Sequence, residues 1–206
     1  FVDPNFSYLE LSVSFNIDTS KTTLSAQSAE IQVSQLVQAY CTNNLETFDA
    51  TFRRSNILSR IDDISPAILN SRMDVKLQQR IDDVLAGYDK NYTLTYPVSL
   101  SSPDKDHHVI TTSVIRSLGQ DVIIKNELGS TRLQMLNMDN EVVLVNIGEY
   151  DPVTGVVNIN ALNVESNDVI KVSVIPANTS TIKPPRNYIL SLDANMLNVS
   201  GVREDS

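Results

Sequence analysis

The stretch Ser55–Ile81, SNILSRIDDISPAILNSRMDVKLQQRI, decides the fold because its hydrophobic period changes along its length. In its first part, apolar residues recur at helical spacing. This spacing predicts an amphipathic helix over Ser55–Ile64, with Ser55 as the N-cap. In its second part, apolar and polar residues alternate, which is typical of a half-buried β-strand.

The predicted strand from Leu69 to Ile81 is unusually long. At about 3.3 Å per residue it would span roughly 40 Å, whereas an ordinary strand has about 5–6 residues. Such a strand would extend beyond the small domain in which it starts, so we expect it to reach another chain or a second domain. The outward face of this strand would carry Arg72, Asp74, Lys76 and Arg80.

The residues before this stretch predict one strand and one helix. Strict alternation from Leu9 to Ile17 indicates a half-buried strand. Apolar residues from Ala29 to Tyr40 follow helical spacing, which predicts an amphipathic helix ending near Asn44. Residues 46–52 could form a short extended segment. Residues 1–86 are therefore predicted to form a small β-α-α-β domain, with its helices covering one face of a sheet.

From Tyr92 onward the sequence contains short strand patterns separated by turns. The clearest is a hairpin between Glu141 and Val164, with Pro152 and Gly155 in its turn. Many short strands predict an all-β, sandwich-like domain over residues 87–206. The predicted fold class is therefore α+β, a β-α-α-β domain followed by this β-rich domain.

Composition favours some classes of function over others. The chain has 206 residues and a formal net charge of −9. It has no long basic run, which argues against nucleic acid as a partner. No run approaches 18 apolar residues, so we expect no membrane span and no membrane partner. The chain begins Phe1-Val-Asp-Pro, and we expect it to be a piece of a longer polypeptide.

The sequence shows no recognisable catalytic set. Its two histidines, His107 and His108, are adjacent, and Cys41 is the only cysteine. The cluster Asp104, Asp106, His107 and His108 could bind a metal, but a solvated loop before a strand is the stronger interpretation. With 6 glycines in all, no phosphate-binding loop can be assembled. We therefore predict no enzyme activity, no cofactor, no metal and no small-molecule substrate.

Surface contact with another protein is the preferred interpretation of the central stretch. Arg72, Lys76 and Arg80 share a face with Asp74, and mixed signs favour ion pairing across a protein interface or a solvated face. Val142–Val145 and Val169–Ile175 would be aggregation-prone edges unless paired, which favours burial in a larger assembly. The predicted contact residues are Ser55, Arg60, Arg72, Asp74, Lys76 and Arg80.

The order of these elements is similar to that of a known family. A strand, an amphipathic helix and a Ser-x-x-Leu-x-x-Ile-x-x-Ile helix running into a strand resemble the baseplate J-like proteins of contractile-tailed phages. The resemblance is strongest to the C-terminal portion of T4-type baseplate wedge proteins and covers about residues 8–82. The segments that carry it are Phe15-Asn-Ile-Asp, Ala39-Tyr-Cys, Phe52-Arg-Arg-Ser-Asn-Ile-Leu-Ser-Arg-Ile and Asn70-Ser-Arg-Met-Asp-Val.

The resemblance implies a structural component of a virion tail baseplate, assembled in the host cytoplasm. Such proteins form homodimers, link wedges into a ring around the tail tube and rearrange when the sheath contracts. Their partners are their own copies and other baseplate wedge proteins, and the family has no catalytic residues to transfer. Two alternatives stay open: a carbohydrate- or receptor-binding β-domain of a virion or surface protein, and a metal-dependent hydrolase centred on Asp104–His108.

Overall fold

A computed structural model describes residues 5–204 and gives them a predominantly β architecture. Strands account for 46% of the residues and helices for 16%. The helices are α1 (Ala26–Asn44), α2 (Arg54–Asp62) and a 3₁₀ turn at Ala194–Met196. The strands are β1 (Asn5–Asp18), β2 (Phe52–Arg53), β3 (Ile68–Ile81), β4 (Lys90–Thr95), β5 (Ile110–Thr112), β6 (Ile115–Ser117), β7 (Gln120–Asn126), β8 (Arg132–Asn137), β9 (Val142–Asp151), β10 (Val156–Leu162), β11 (Ile170–Val174), β12 (Thr181–Ile182), β13 (Tyr188–Leu192) and β14 (Asn198–Glu204).

The predicted α+β fold class is wrong. Twelve of the described strands form one mixed sheet, with the order β13-β1-β3-β11-β5-β7-β8-β9-β10-β4 and with β14 and β6 paired to β1 and β7. The start of the chain is also not a simple β-α-α-β unit, because β2 lies between the two helices. The physical reason is long-range strand pairing: β13 and β14 pair in parallel with β1, from the opposite end of the described chain.

Several local predictions are confirmed. Strand β1 buries the alternating face that begins at Leu9, and α1 ends at Asn44 as its apolar spacing indicates. Ser25 caps α1, because its hydroxyl accepts the backbone N–H of Ser28 at 3.1 Å. Strand β3 runs unbroken for 14 residues. Gly155 has a φ of +72°, the left-handed conformation expected in the hairpin turn.

The described chain divides into two compact units, of which the first comprises Phe1–Lys76 and Thr179–Ser206. Its core combines the buried face of β1 with one face of α1. The α1 residues that face it are Ala29, Val33, Val37, Tyr40 and Cys41. Burial raises the pKa of the Cys41 thiol to about 12, so this thiol is a neutral core group at ordinary pH.

The second unit comprises Leu77–Asn178 and contains strands β4 to β11. The last part of β3, Leu77–Ile81, belongs to it and pairs antiparallel with β11. Fully buried aliphatic side chains from several strands form its core, including Ile110, Ile124 and Leu133. The predicted division of the chain into residues 1–86 and 87–206 stays a prediction. Within residues 5–204, no helix is long and apolar enough to cross a membrane.

Candidate functional site

The helix α2 carries two of the predicted contact residues, and its start differs from the prediction. It begins at Arg54, and its N-cap is Arg53, whose side chain makes no capping hydrogen bond. The predicted capping role of Ser55 is therefore wrong. Strand pairing keeps the chain extended up to Arg53, which lies opposite Thr181 in β12. The first helical N–H then donates to Ser180 O at 3.0 Å, a backbone partner from a distant segment.

The Arg54 guanidinium ties this helix into its own unit. It donates to the hydroxyl of Thr179 at 3.3 Å, the hydroxyl of Ser180 at 3.0 Å and the carbonyl oxygen of Met73 at 3.4 Å. No sequence pattern indicates this role of Arg54, because all three partners are distant along the chain. Arg54 thus acts within the unit as a link between α2, β3 and residues 179–180.

Ser55 and Arg60 are both exposed on α2, whereas Ile57 and Ile61 are buried beneath them. The Arg60 guanidinium carbon lies 5.0 Å from the centre of the Tyr40 ring. This cation–π contact orients Arg60 while its side chain stays accessible. The exposed surface of the helix therefore carries the Ser55 hydroxyl and the oriented positive charge of Arg60.

The outward face of β3 is built as the alternation predicted. Arg72 and Asp74 are exposed and Lys76 is half-buried, while Met73 and Val75 between them are buried. Side chains two apart on a strand lie about 7 Å from each other on the same face. The three charges thus form a row of alternating sign on one strand, a pattern that a partner with the complementary row could match.

The charged face does not continue unchanged to Arg80. Gln78, which the alternation of β3 places on the same face as Lys76 and Arg80, is fully buried. Its side-chain oxygen accepts the Arg80 Nε–H at 2.9 Å, and Arg80 is half-buried. The structure thus keeps Arg72, Asp74 and Lys76 together in the first unit, whereas Arg80 lies in the second unit.

The Asp104–His108 cluster is a structured turn. Asp104 accepts the backbone N–H groups of Asp106 at 2.6 Å and His107 at 3.0 Å, and these hydrogen bonds hold its pKa below the usual range. His108 Nδ1 lies 2.7 Å from the carbonyl oxygen of Asn126. No group of three or more His, Cys, Asp or Glu residues in the described part of the chain has an arrangement that could hold a metal ion.

The comparison with known protein families finds a match to the first part of the chain. Residues 5–80 match the model of the baseplate structural protein gp6, C-terminal domain III. The matched segment runs from the start of β1 to the penultimate residue of β3, so it includes α2 and the charged face. No curated protein matches the chain. The predicted resemblance is therefore confirmed: residues 5–80 are similar to C-terminal domain III of gp6, which supports a gp6-type baseplate protein, C-terminal portion.

Proposed function

We propose that this baseplate structural protein forms homodimers that link wedges into a ring around the tail tube and rearrange when the sheath contracts. The observation that carries the proposal is the match of residues 5–80 to gp6 C-terminal domain III. We further propose that it has no catalytic activity, that its copies and other wedge proteins are its partners, and that it assembles in the host cytoplasm before joining the virion.

The proposed contact surface consists of Ser55 and Arg60 on α2 and Arg72, Asp74 and Lys76 on β3. All of these lie in the first unit and in the matched segment. Arg80, which lies in the second unit, also stays among the proposed contact residues. An interface of about 1,200–2,000 Å² would need apolar contact in addition to these charges. The charges would then select the partner and its register.

Light scattering coupled to size-exclusion chromatography tests the homodimer. We expect the chain to show a concentration-dependent dimer that dissociates as salt rises, because the Debye length falls from about 10 Å at 0.1 M salt to about 3 Å at 1 M and the attraction between exposed charges weakens. The double variant Arg72→Glu, Lys76→Glu should raise the dissociation constant of the dimer by about tenfold or more. The matched control is Lys105→Glu with Arg132→Glu, which makes the same charge change on an exposed lysine before β5 and an exposed arginine of β8.

A strictly monomeric chain at high concentration would refute the homodimer. An unchanged dimer in the Arg72→Glu, Lys76→Glu variant would refute the contact surface while leaving the dimer in place. Because both lysine and arginine side chains reach solvent, thermal melting of each variant should stay close to that of the parent chain. This check separates a lost contact from a lost fold.

A further inference from the structure

The β9–β10 hairpin opens along half of its length. The two strands pair from Asp151 with Val156 to Gly148 with Ile159, and the pairing between them ends there. Beyond that point β10 continues against β4, with an irregularity before Leu162. Strand β9 continues from Ile147 back to Val142 with β8 as its described partner. Within the described chain, the edge of β9 that faces away from β8 therefore has no recorded strand partner over these residues.

Apolar side chains follow this open edge. Val142 is 51% exposed, Leu144 42% and Val145 58%, which is unusual for three apolar residues in four positions of one strand. A groove of about 130 Å³ lies between the open arms of the hairpin. Its apolar lining consists of Leu118, Met135, Leu144, Ile147, Ala161 and Leu162.

The backbone around the groove is unusual as well. Leu118 has a φ of +53°, Asn146 of +56° and Ala161 of +50°. Left-handed backbone is uncommon for residues other than glycine, costs of order 1–3 kcal/mol in sparsely populated regions and is found preferentially at binding sites. Two of these residues line the groove, and the third lies between Leu144 and Ile147 on β9. Asn146 and Ala161 thus lie where the β9–β10 hairpin opens, whereas Leu118 takes its positive φ in the tight turn between β6 and β7.

Acidic residues predominate around the open edge. The two nearby basic residues are held in ion pairs: Lys90, opposite Leu162, with Asp83, and Arg116, two residues before Leu118, with Asp121 and Glu165. From Leu133 to Ile170 the sequence contains no Lys, Arg or His. Asp89 lies at the rim of the groove, and Arg132, the neighbouring basic residue on β8, is opposite Glu149 at the far end of β9. The acidic residues of the same stretch are Asp139, Glu141, Glu149, Asp151, Glu165 and Asp168.

We propose that the open edge of β9, from Val142 to Ile147, binds an extended segment of another protein that carries alternating apolar side chains between Lys or Arg residues. The segment would add to the sheet as a strand, with backbone hydrogen bonds along β9 and apolar side chains in the groove. Six residues of strand give it about 20 Å of contact. Basic flanks complement the acidic surroundings and would raise the rate and selectivity of binding.

A second copy of this chain fits the edge less well. Its own β9 would bring the same acidic stretch, and like charges would oppose pairing. Its basic strand β3 pairs with β11 over Leu77–Ile81. Over Arg72–Lys76 its apolar side chains, Met73 and Val75, are buried in their own unit and cannot enter the groove. Strand β4, at the end of the sheet order, carries Lys90 as its one basic residue, and this lysine is paired with Asp83 at 2.7 Å, so β4 does not supply two basic flanks. The proposal therefore concerns a different protein. It goes beyond the proposed homodimer and does not depend on it.

The test uses the intact chain and synthetic peptides of about eight residues that alternate valine with threonine. One peptide has lysine at both ends, one has glutamate at both ends, and a third has lysine ends with a central proline. By fluorescence anisotropy at low salt, the lysine peptide should bind at least tenfold more tightly than the glutamate peptide. The proline peptide should lose binding by at least tenfold as well, because proline removes a donor and breaks strand pairing. Equal binding of all three would overturn the proposal.

Protein variants locate the site. Leu144→Asp should weaken binding of the lysine peptide at least tenfold. The control, Val153→Asp, adds the same charge at a hairpin-turn residue that is 78% exposed, and it should change the peptide affinity less than twofold. Hydrogen exchange of the parent chain should show new protection at Val142–Ile147 when the lysine peptide is bound. The proposal is refuted if the bound peptide protects residues elsewhere in the chain. It is also refuted if the peptide does not bind and the chain instead self-associates in a way that Leu144→Asp abolishes. Light scattering tests the homodimer separately.

Discussion

The buried side chain of Asn126 joins two segments of the second unit, and its replacement should be among the most damaging single changes there. Its Oδ1 accepts the backbone N–H groups of Val109 at 2.7 Å and Ile110 at 2.9 Å. Its Nδ2 donates to the carbonyl oxygens of Glu127 at 3.0 Å and Ser130 at 3.1 Å. One fully buried amide thus satisfies four backbone groups.

Asn126→Leu removes all four hydrogen bonds and puts an apolar group of similar size in their place. The two N–H groups belong to residues that are 3% and 0% exposed, so water cannot replace the lost acceptor. Each unsatisfied buried donor costs about 1–3 kcal/mol. The two carbonyl oxygens belong to half-buried residues and can regain water, so they add little. We expect the free energy of unfolding to fall by about 2–6 kcal/mol.

Asn126→Asp separates the two halves of this network. The aspartate keeps the acceptor for both N–H groups, but it turns a second oxygen toward the two carbonyl oxygens. Burial and this repulsion would raise the pKa of the introduced carboxyl above its usual value of about 3.9. Its protonated form can donate to one carbonyl, so the stability loss should be small near pH 4 and should grow as pH rises through the raised pKa.

Urea unfolding followed by circular dichroism measures both effects, and hydrogen exchange at Val109 and Ile110 assigns them to this part of the chain. Asn43→Leu is the matched control, since Asn43 is exposed in the last turn of α1 and should change stability by less than about 0.5 kcal/mol. The reasoning fails if Asn126→Leu costs less than about 1 kcal/mol. It fails equally if Asn126→Asp is as unstable at pH 4 as at pH 7.

Two further predictions concern Gly148 and Cys41. A Cβ at Gly148 would lie 1.9 Å from Asn158 O, so Gly148→Ala should prevent β9–β10 pairing and give a chain that is largely unfolded by circular dichroism. Gly119→Ala, where nothing lies within 4 Å, should cost only about 1–3 kcal/mol of left-handed strain. The buried thiol of Cys41 has its pKa raised from 9.0 to about 12, so folding stability should fall as pH rises from 9 toward 12. By pH 10.5 the loss is about 2 kcal/mol, and urea titrations should show that Cys41→Ala removes this part of the pH dependence.

The local elements could be predicted because burial is one-sided. Strand β1 and strand β3 each pack one face against a core, so hydrophobic alternation is visible along the sequence. Helix α1 likewise shows its buried face as helical spacing. The alternation is misleading at Gln78, and the cause is local. This polar side chain is buried beside Arg80, because its oxygen accepts the Arg80 Nε–H.

The fold class could not be predicted, because it depends on pairings between distant segments. Nothing in the sequence of β13 or β14 indicates that they pair with β1 rather than with nearby strands. The same reason explains the start of α2, which is set by pairing of β2 with β12. Periodicity reports which face of a strand is buried, and it carries no information about which strand lies beside it.

The two surfaces proposed here would recognise partners by different physical means. The face of Arg72, Asp74 and Lys76 offers charged side chains, and β11 pairs with β3 only beyond this face, over Leu77–Ile81. The edge of β9 offers backbone groups beside apolar side chains, so a partner must itself be extended to bind there. Salt should weaken contacts at the first surface strongly, whereas at the second it should act mainly on the basic flanks of the partner. A structural protein that makes both kinds of contact could therefore exchange one partner while it keeps the other.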